Sequence, residues 1–82
     1  MNKIKILFFA TLRDRAGTRA MDLDIPGDTT IRSLKDRLAA EQPNLAEAMK
    51  AVLVTINREY AFDEAVIPES AEIAMFPPVS GG

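Results

Sequence analysis

The stretch Lys3-Ile4-Lys5-Ile6-Leu7-Phe8-Phe9 decides the fold. Side chains of an extended chain point alternately to opposite sides, so Ile4, Ile6 and Phe8 share one face while Lys3, Lys5, Leu7 and Phe9 share the other. A strand with one continuous apolar face needs a covering layer. Working outward, Met21, Leu23 and Ile25 alternate with Asp22 and Asp24, which predicts a second strand forming a hairpin with the first. Between the two, the polar stretch from Thr11 to Thr18, with Gly17 in it, reads as the connecting loop. Pro26-Gly27-Asp28 signals a turn, and Thr29 or Thr30 can cap a helix from Ile31 by accepting a backbone N–H bond. Ile31, Leu34 and Leu38 then recur at helical spacing, with Arg32, Lys35, Asp36 and Arg37 opposite them. Pro43 ends that helix, and Leu45 and Met49, four apart within residues 44–50, suit a short second helical piece.

From Ala51 to Asn57 the period returns to two, with Val52, Val54 and Ile56 on one face and Leu53 and Thr55 on the other. Asn57-Arg58-Glu59 reads as a turn, Tyr60 to Phe62 as a short strand, and Pro68-Glu69-Ser70 as a further turn. The run Glu72 to Phe76 follows, with Ile73 and Met75 inward. This order predicts an α+β roll, a mixed sheet of four to five strands with one main helix packed on one face, over residues 1–76. Residues 77–82 form an extended tail.

Composition narrows the function. The chain has 82 residues, 48% hydrophobic and 27% charged, enough for one globular domain and too little for two cores. A chain this size buries only about 60–65% of its unfolded surface, so few interior positions are left for a deep catalytic pocket. There is no Cys and no His, which excludes disulfide scaffolds, thiolate metal sites, cysteine nucleophiles and the commonest general base. Ten basic against twelve acidic residues leave a net charge of −2, and the basic ones are scattered, so no nucleic-acid footprint is formed. The apolar run from Ile6 to Ala10 is too short for a membrane span, and a cytoplasmic location is expected.

The closing residues Pro77-Pro78-Val79-Ser80-Gly81-Gly82 differ in kind from the rest. Two prolines fix φ and favour an extended stem, whereas terminal glycines can thread where a Cβ would clash. Six residues span on the order of 20 Å. The reactive group of such a tail is the Gly82 carboxylate, which adenylation would convert into a mixed anhydride open to sulfur or amine nucleophiles. The residues alone leave open two readings, a functional terminus and a plain glycine-bearing chain end.

The opening Lys5-Ile6-Leu7-Phe8-Phe9-Ala10 with Leu12-Arg13, then Gly17, the Thr-rich helix start with Leu34, and above all Ala74-Met75-Phe76-Pro77-Pro78-Val79-Ser80-Gly81-Gly82 resemble a known family. It is the small, ubiquitin-like sulfur-carrier subunit of molybdopterin synthase, and the resemblance runs along essentially the whole chain. It implies a β-grasp fold and no catalysis by the chain alone. It also implies a cycle in which an ATP-dependent, ubiquitin-activating-like adenylyltransferase adenylates the Gly82 carboxylate and a sulfur donor converts it to a thiocarboxylate. The tail, threaded by Gly81, then delivers sulfur to a pterin precursor inside the large synthase subunit. No bound cofactor is implied; ATP is used by the activating enzyme.

The strand patterns give a separate expectation for the partner surface. If Ile4, Ile6, Phe8, Val54, Ile56, Ile73 and Met75 face the helix, then Leu7, Phe9, Leu53 and Phe76 leave the other face of the sheet toward water, beside the root of the tail. Tyr60 can join them from the short strand, and Pro77, Pro78 and Val79 extend the surface along the tail. Contiguous exposed apolar groups, aromatic ones above all, mark interaction sites. Asp22 and Asp24 share a strand face but read as outward polar residues, so no metal site is expected. Arg13 and Arg15 read as solvated loop charges, and Lys3 and Lys5 as guards of a solvent face. Three functions fit these residues: the molybdopterin carrier, a carrier or lysine-conjugating modifier of another pathway, and a ubiquitin-like binding module with no chemistry at Gly82.

Overall fold

The computed structural model describes residues 1–78 of the chain. Strand β1 (Asn2–Phe8) lies between β2 (Ala20–Ile25), antiparallel to it, and β5 (Glu72–Phe76), parallel to it. Strand β3 (Leu53–Ile56) pairs antiparallel with β5 on one side and with β4 (Glu59–Tyr60) on the other. The five-stranded order is therefore β2-β1-β5-β3-β4, a mixed sheet as the alternation predicts. Helix α2 (Ile31–Glu41) covers one face, so the expected α+β roll holds.

The core follows from the two periodicities. Ile4, Ile6 and Phe8 of β1, Val54 of β3, and Ile73 and Met75 of β5 are buried against Ile31, Leu34 and Leu38 of α2. Fully burying one such side chain stabilises the fold by about 1.5–3 kcal/mol. Thr30 caps α2, its Oγ1 accepting from the Ser33 N–H at 3.2 Å. Pro43 closes α2 and opens α3 (Pro43–Ala46), where its missing N–H costs nothing. A 3₁₀ turn, Ala48–Lys50, follows, and Leu45 and Met49 both point into the core as their spacing predicts.

One expected element is corrected. Thr11 to Thr18 is not a loop: Thr11–Ala16 forms helix α1, ended by Gly17 at φ 75, whose N–H returns to the Arg13 carbonyl at 3.0 Å. Arg13 and Arg15 therefore stand on a helix. The turn is too short to show a 3.6-residue period, and only Leu12 is fully buried, with Ala16 packed partly buried against the core. The first turn is entered through Ala10 at φ 53, ψ −129, a strained conformation for a residue with a Cβ. The short strand also ends earlier than Phe62, at Tyr60.

Both edges of the sheet are managed. On β2 the free-edge carbonyls at both ends accept side-chain donors, Ala20 O from Thr18 Oγ1 at 2.9 Å and Asp24 O from Arg37 Nη1 at 2.8 Å. Such occupancy blunts an edge otherwise open to strand addition. The other edge, β4, is two residues long. Among the described residues no helix is long and apolar enough to cross a membrane.

Candidate functional site

The pairing register fixes what stands on the face of the sheet away from α2. Moving along the strands, Lys3 lies opposite Asp24, and Lys5 lies between Asp22 and Glu72. The next row runs Ala20, Leu7, Ala74, Thr55, Tyr60. The last, at the end where β5 leads into Pro77, runs Phe9, Phe76, Leu53. The face thus grades from paired charges to small and aliphatic groups to aromatic rings. Its apolar end is the root of the tail.

Phe9 and Phe76 form that end as a unit. The Phe9 N–H donates to the Met75 carbonyl at 3.2 Å, continuing the β1–β5 pairing one residue past β1. The rings then stack at 4.7 Å between centroids and 11° between planes. Phe9 is still 41% exposed and Leu53 37%. Two large apolar groups therefore keep open surface although a ring packs beside them, as a docking face requires. Leu7 is only half-buried rather than open to water, and Phe76 and Pro77 are half-buried while Pro78 is exposed. Tyr60 is 78% exposed on the same face. The structure thus brings together Leu7, Phe9, Leu53, Tyr60, Phe76 and the start of the tail. The expectations for Val79, Gly81 and Gly82 lie outside the described residues.

One further residue belongs beside them. The Ala61 N–H donates to the Val54 carbonyl at 3.0 Å, which carries the β3–β4 register past Tyr60 and sets Phe62 next to Leu53 in the aromatic row. Phe62 is 81% exposed. The signal is in the alternation, since Tyr60 and Phe62, two residues apart, share a face; the sequence reading carries Tyr60 to the partner surface but not Phe62. The segment that follows is fastened to the start of α2. The Ile31 and Arg32 N–H groups, which have no partner within the helix, donate to the Ala65 and Asp63 carbonyls at 3.0 and 2.9 Å. Lys35 Nζ meets Asp63 Oδ1 at 2.7 Å and Arg32 Nη2 meets Glu64 Oε2 at 3.1 Å. The Lys35 hydrogen bond holds the Asp63 carboxyl below the usual carboxylate range.

Asp22 and Asp24 are exposed and face the two lysines across the strand pair rather than each other's ligand space. Among the described residues no cluster of acidic side chains has the arrangement of a metal site. The stripe Ile31, Leu34, Leu38 is core. What the surface can do chemically is therefore to dock and aim: an apolar end for a partner protein, with the tail leaving from it.

Comparison with known proteins gives a consistent set of likenesses. Residues 6–82 match the ThiS family. The molybdopterin synthase sulfur carrier subunit of Arabidopsis thaliana is 35% identical over 80 residues, covering 98% of this chain and 83% of that protein. The molybdopterin synthase sulfur carrier subunit of Escherichia coli K12 is 34% identical over 83 residues, covering 96% of this chain and 99% of that protein. Among solved structures, the crystal structure of SAMP1 from Haloferax volcanii superposes with a TM-score of 0.84 at 30% identity, over 99% of this chain and all of that one.

Proposed function

The chain belongs to the ThiS family, and from that premise we propose that it is the sulfur-carrier subunit of a molybdopterin synthase. The observation that carries this reading is the end-to-end match to the bacterial and plant carriers of that name. The stacked Phe9–Phe76 end of the sheet at the root of the tail supports it. In the proposed cycle the Gly82 carboxylate attacks the α-phosphorus of ATP in a ubiquitin-activating-like adenylyltransferase, forming the acyl-adenylate and releasing pyrophosphate. A sulfur donor attacks the acyl carbon and AMP leaves, which yields the thiocarboxylate. In the large synthase subunit that sulfur bonds to the pterin precursor, and water attacks the acyl carbon, breaking its C–S bond, leaving the sulfur on the precursor and regenerating the carboxylate. The carrier's own residues bind, orient and exclude water: the apolar end docks, Pro77 and Pro78 hold the stem extended, and Gly81 lets the terminus pass a narrow channel. The cycle places the protein in the cytoplasm with its partners.

A second reading has its own observation. The likeness to SAMP1, the small archaeal modifier protein 1 of Haloferax volcanii, favours a modifier in which the same adenylate is passed to a lysine amine. Intact-mass measurement separates the two. The carrier is incubated with ATP, sulfide and a molybdopterin-pathway activating enzyme, beside a variant lacking Gly82. A mass gain equal to exchanging oxygen for sulfur, confined to the full chain and discharged by the large synthase subunit with its precursor, is the expected result. Isopeptide conjugates without sulfur discharge would support the modifier instead. No gain, with an activating enzyme competent on its own carrier, would overturn the molybdopterin-carrier reading.

A further inference from the structure

The strongest unassigned feature is a ridge beyond the sheet edge. Tyr60 and Phe62 are the most exposed aromatic residues described, and neither is at a fraying end. Phe62 is carried by the segment that the α2 N–H groups, Lys35 and Arg32 fasten through backbone bonds and ion pairs. An apolar ring held in water by a rigid support loses little conformational entropy on binding, which favours affinity. Leu53 and Phe62 line one shared hollow, so the ridge continues the aromatic row.

On its other flank lies an open hollow of about 590 Å³ walled by Ile56, Tyr60, Phe62 and Pro68, whose charged lining residues are Glu59 and Glu64; Glu64 is paired with Arg32 from outside the lining, which leaves Glu59 as the carboxylate that faces the hollow without a cation among the described residues. That lining selects its occupant. A wholly apolar group would take the Glu59 carboxylate out of water without pairing it, and an anion, including an anionic lipid headgroup, would be repelled. A side chain with an aliphatic stem and a cationic head satisfies both, its stem along the rings and its charge toward Glu59. We propose that the Tyr60–Phe62 ridge is a second docking point that receives a lysine or arginine side chain of the protein partner seated on the Phe9–Phe76 end.

This inference rests on the reading that the tail end of the sheet docks the large synthase subunit, and the test separates the two. Full-length carrier is titrated calorimetrically with that subunit from the same organism, at salt from about 50 to about 500 mM. Phe62→Ala is expected to weaken binding about tenfold. Glu59→Lys is expected to weaken it about threefold or more at low salt and to remove or reverse the fall of affinity with salt. Both sites are exposed, so circular dichroism should report an unchanged fold. If both variants bind like wild type while Phe76→Ala binds weakly, the ridge lies outside the interface and the inference is overturned, with the docking face intact. If Phe76→Ala also binds like wild type, or wild type does not bind the subunit, the docking reading fails and the ridge assignment falls with it.

Discussion

Replacing Phe76 by Ala should destabilise the free carrier measurably without unfolding it, and the size can be worked from the ring geometry. The Phe9 and Phe76 rings lie 4.7 Å apart at 11°, within the range in which a stacked pair is worth about 0.5–1.5 kcal/mol beyond the area it buries. Phe76 is half-buried, so its area contributes roughly half of the 1.5–3 kcal/mol of a fully buried Phe, or about 1 kcal/mol. Phe76→Ala should therefore cost about 1.5–2.5 kcal/mol, which lowers Tm by roughly 6–20 °C in a domain this size. Small domains have about 5–15 kcal/mol in total, so the fold survives. Phe9→Ala removes the same stack and a similar covered area. The assay is guanidinium unfolding of wild type, both single variants and the double variant. The double should be less destabilised than the sum of the singles by about 0.5–1.5 kcal/mol, the stacking share. Additivity within about 0.3 kcal/mol would refute the reasoning, because the rings would then be neighbours without energetic coupling. Loss of affinity for the large subunit should exceed this stability cost in its consequence, since a variant still folded at 25 °C would bind weakly only through the missing contact.

Three further outcomes are expected. Leu12→Ala, which empties the one fully buried position of α1, should cost about 2–5 kcal/mol in denaturant unfolding; a cost under about 0.5 kcal/mol would mean that α1 is not docked. Ala10→Gly should stabilise by about 1 kcal/mol, because glycine adopts φ 53, ψ −129 without the Cβ conflict, and a lower denaturant midpoint would count against that strain. For Asp63, whose folded-state pKa is lowered chiefly by the Lys35 hydrogen bond, the stabilisation is fully present above the ordinary carboxylate value of 3.8. It is lost as pH falls through the lowered folded value. The stability difference between wild type and Asp63→Asn should accordingly be flat near neutrality and shrink in acid, and a difference unchanged into that range would remove the ion pair from the account.

Legibility in the sequence followed the length of the pattern. β1, α2 and β3 each repeat an apolar position three times and β5 does so twice, so one period dominates and the burial faces can be written down from spacing alone, including the outward places of Phe9, Leu53 and Phe76. α1 has six residues and one large buried side chain, so no large apolar residue repeats; Leu12 among Thr11, Arg13 and Asp14 looks like any loop leucine. Gly17 was the available signal, a left-handed helix end read instead as loop punctuation. Phe62 illustrates the opposite case, where the pattern is visible but its consequence depends on tertiary structure. Its exposure follows from the segment after it turning away to satisfy the Ile31 and Arg32 N–H groups of α2, a pairing across more than thirty residues that no local period encodes.

The grading of the outer face bears on how a tail can be aimed. Lys3, Lys5, Asp22, Asp24 and Glu72 occupy the half distant from Pro77, with opposite charges facing one another across the strands, so covering that half would desolvate charge with little return. The aromatic half has no such cost. A partner is therefore directed to the end from which the tail leaves, and contact there buries the last residues of β5 together with the tail root. Because Pro77 and Pro78 each fix φ near −65°, the orientation imposed on Phe76 passes along the stem with fewer free dihedrals than another dipeptide would leave. In the proposed reading, docking at Phe9, Phe76 and Leu53 sets the direction in which the Pro77-Pro78 stem leaves the sheet, and a chain with no Cys or His acts through that geometry.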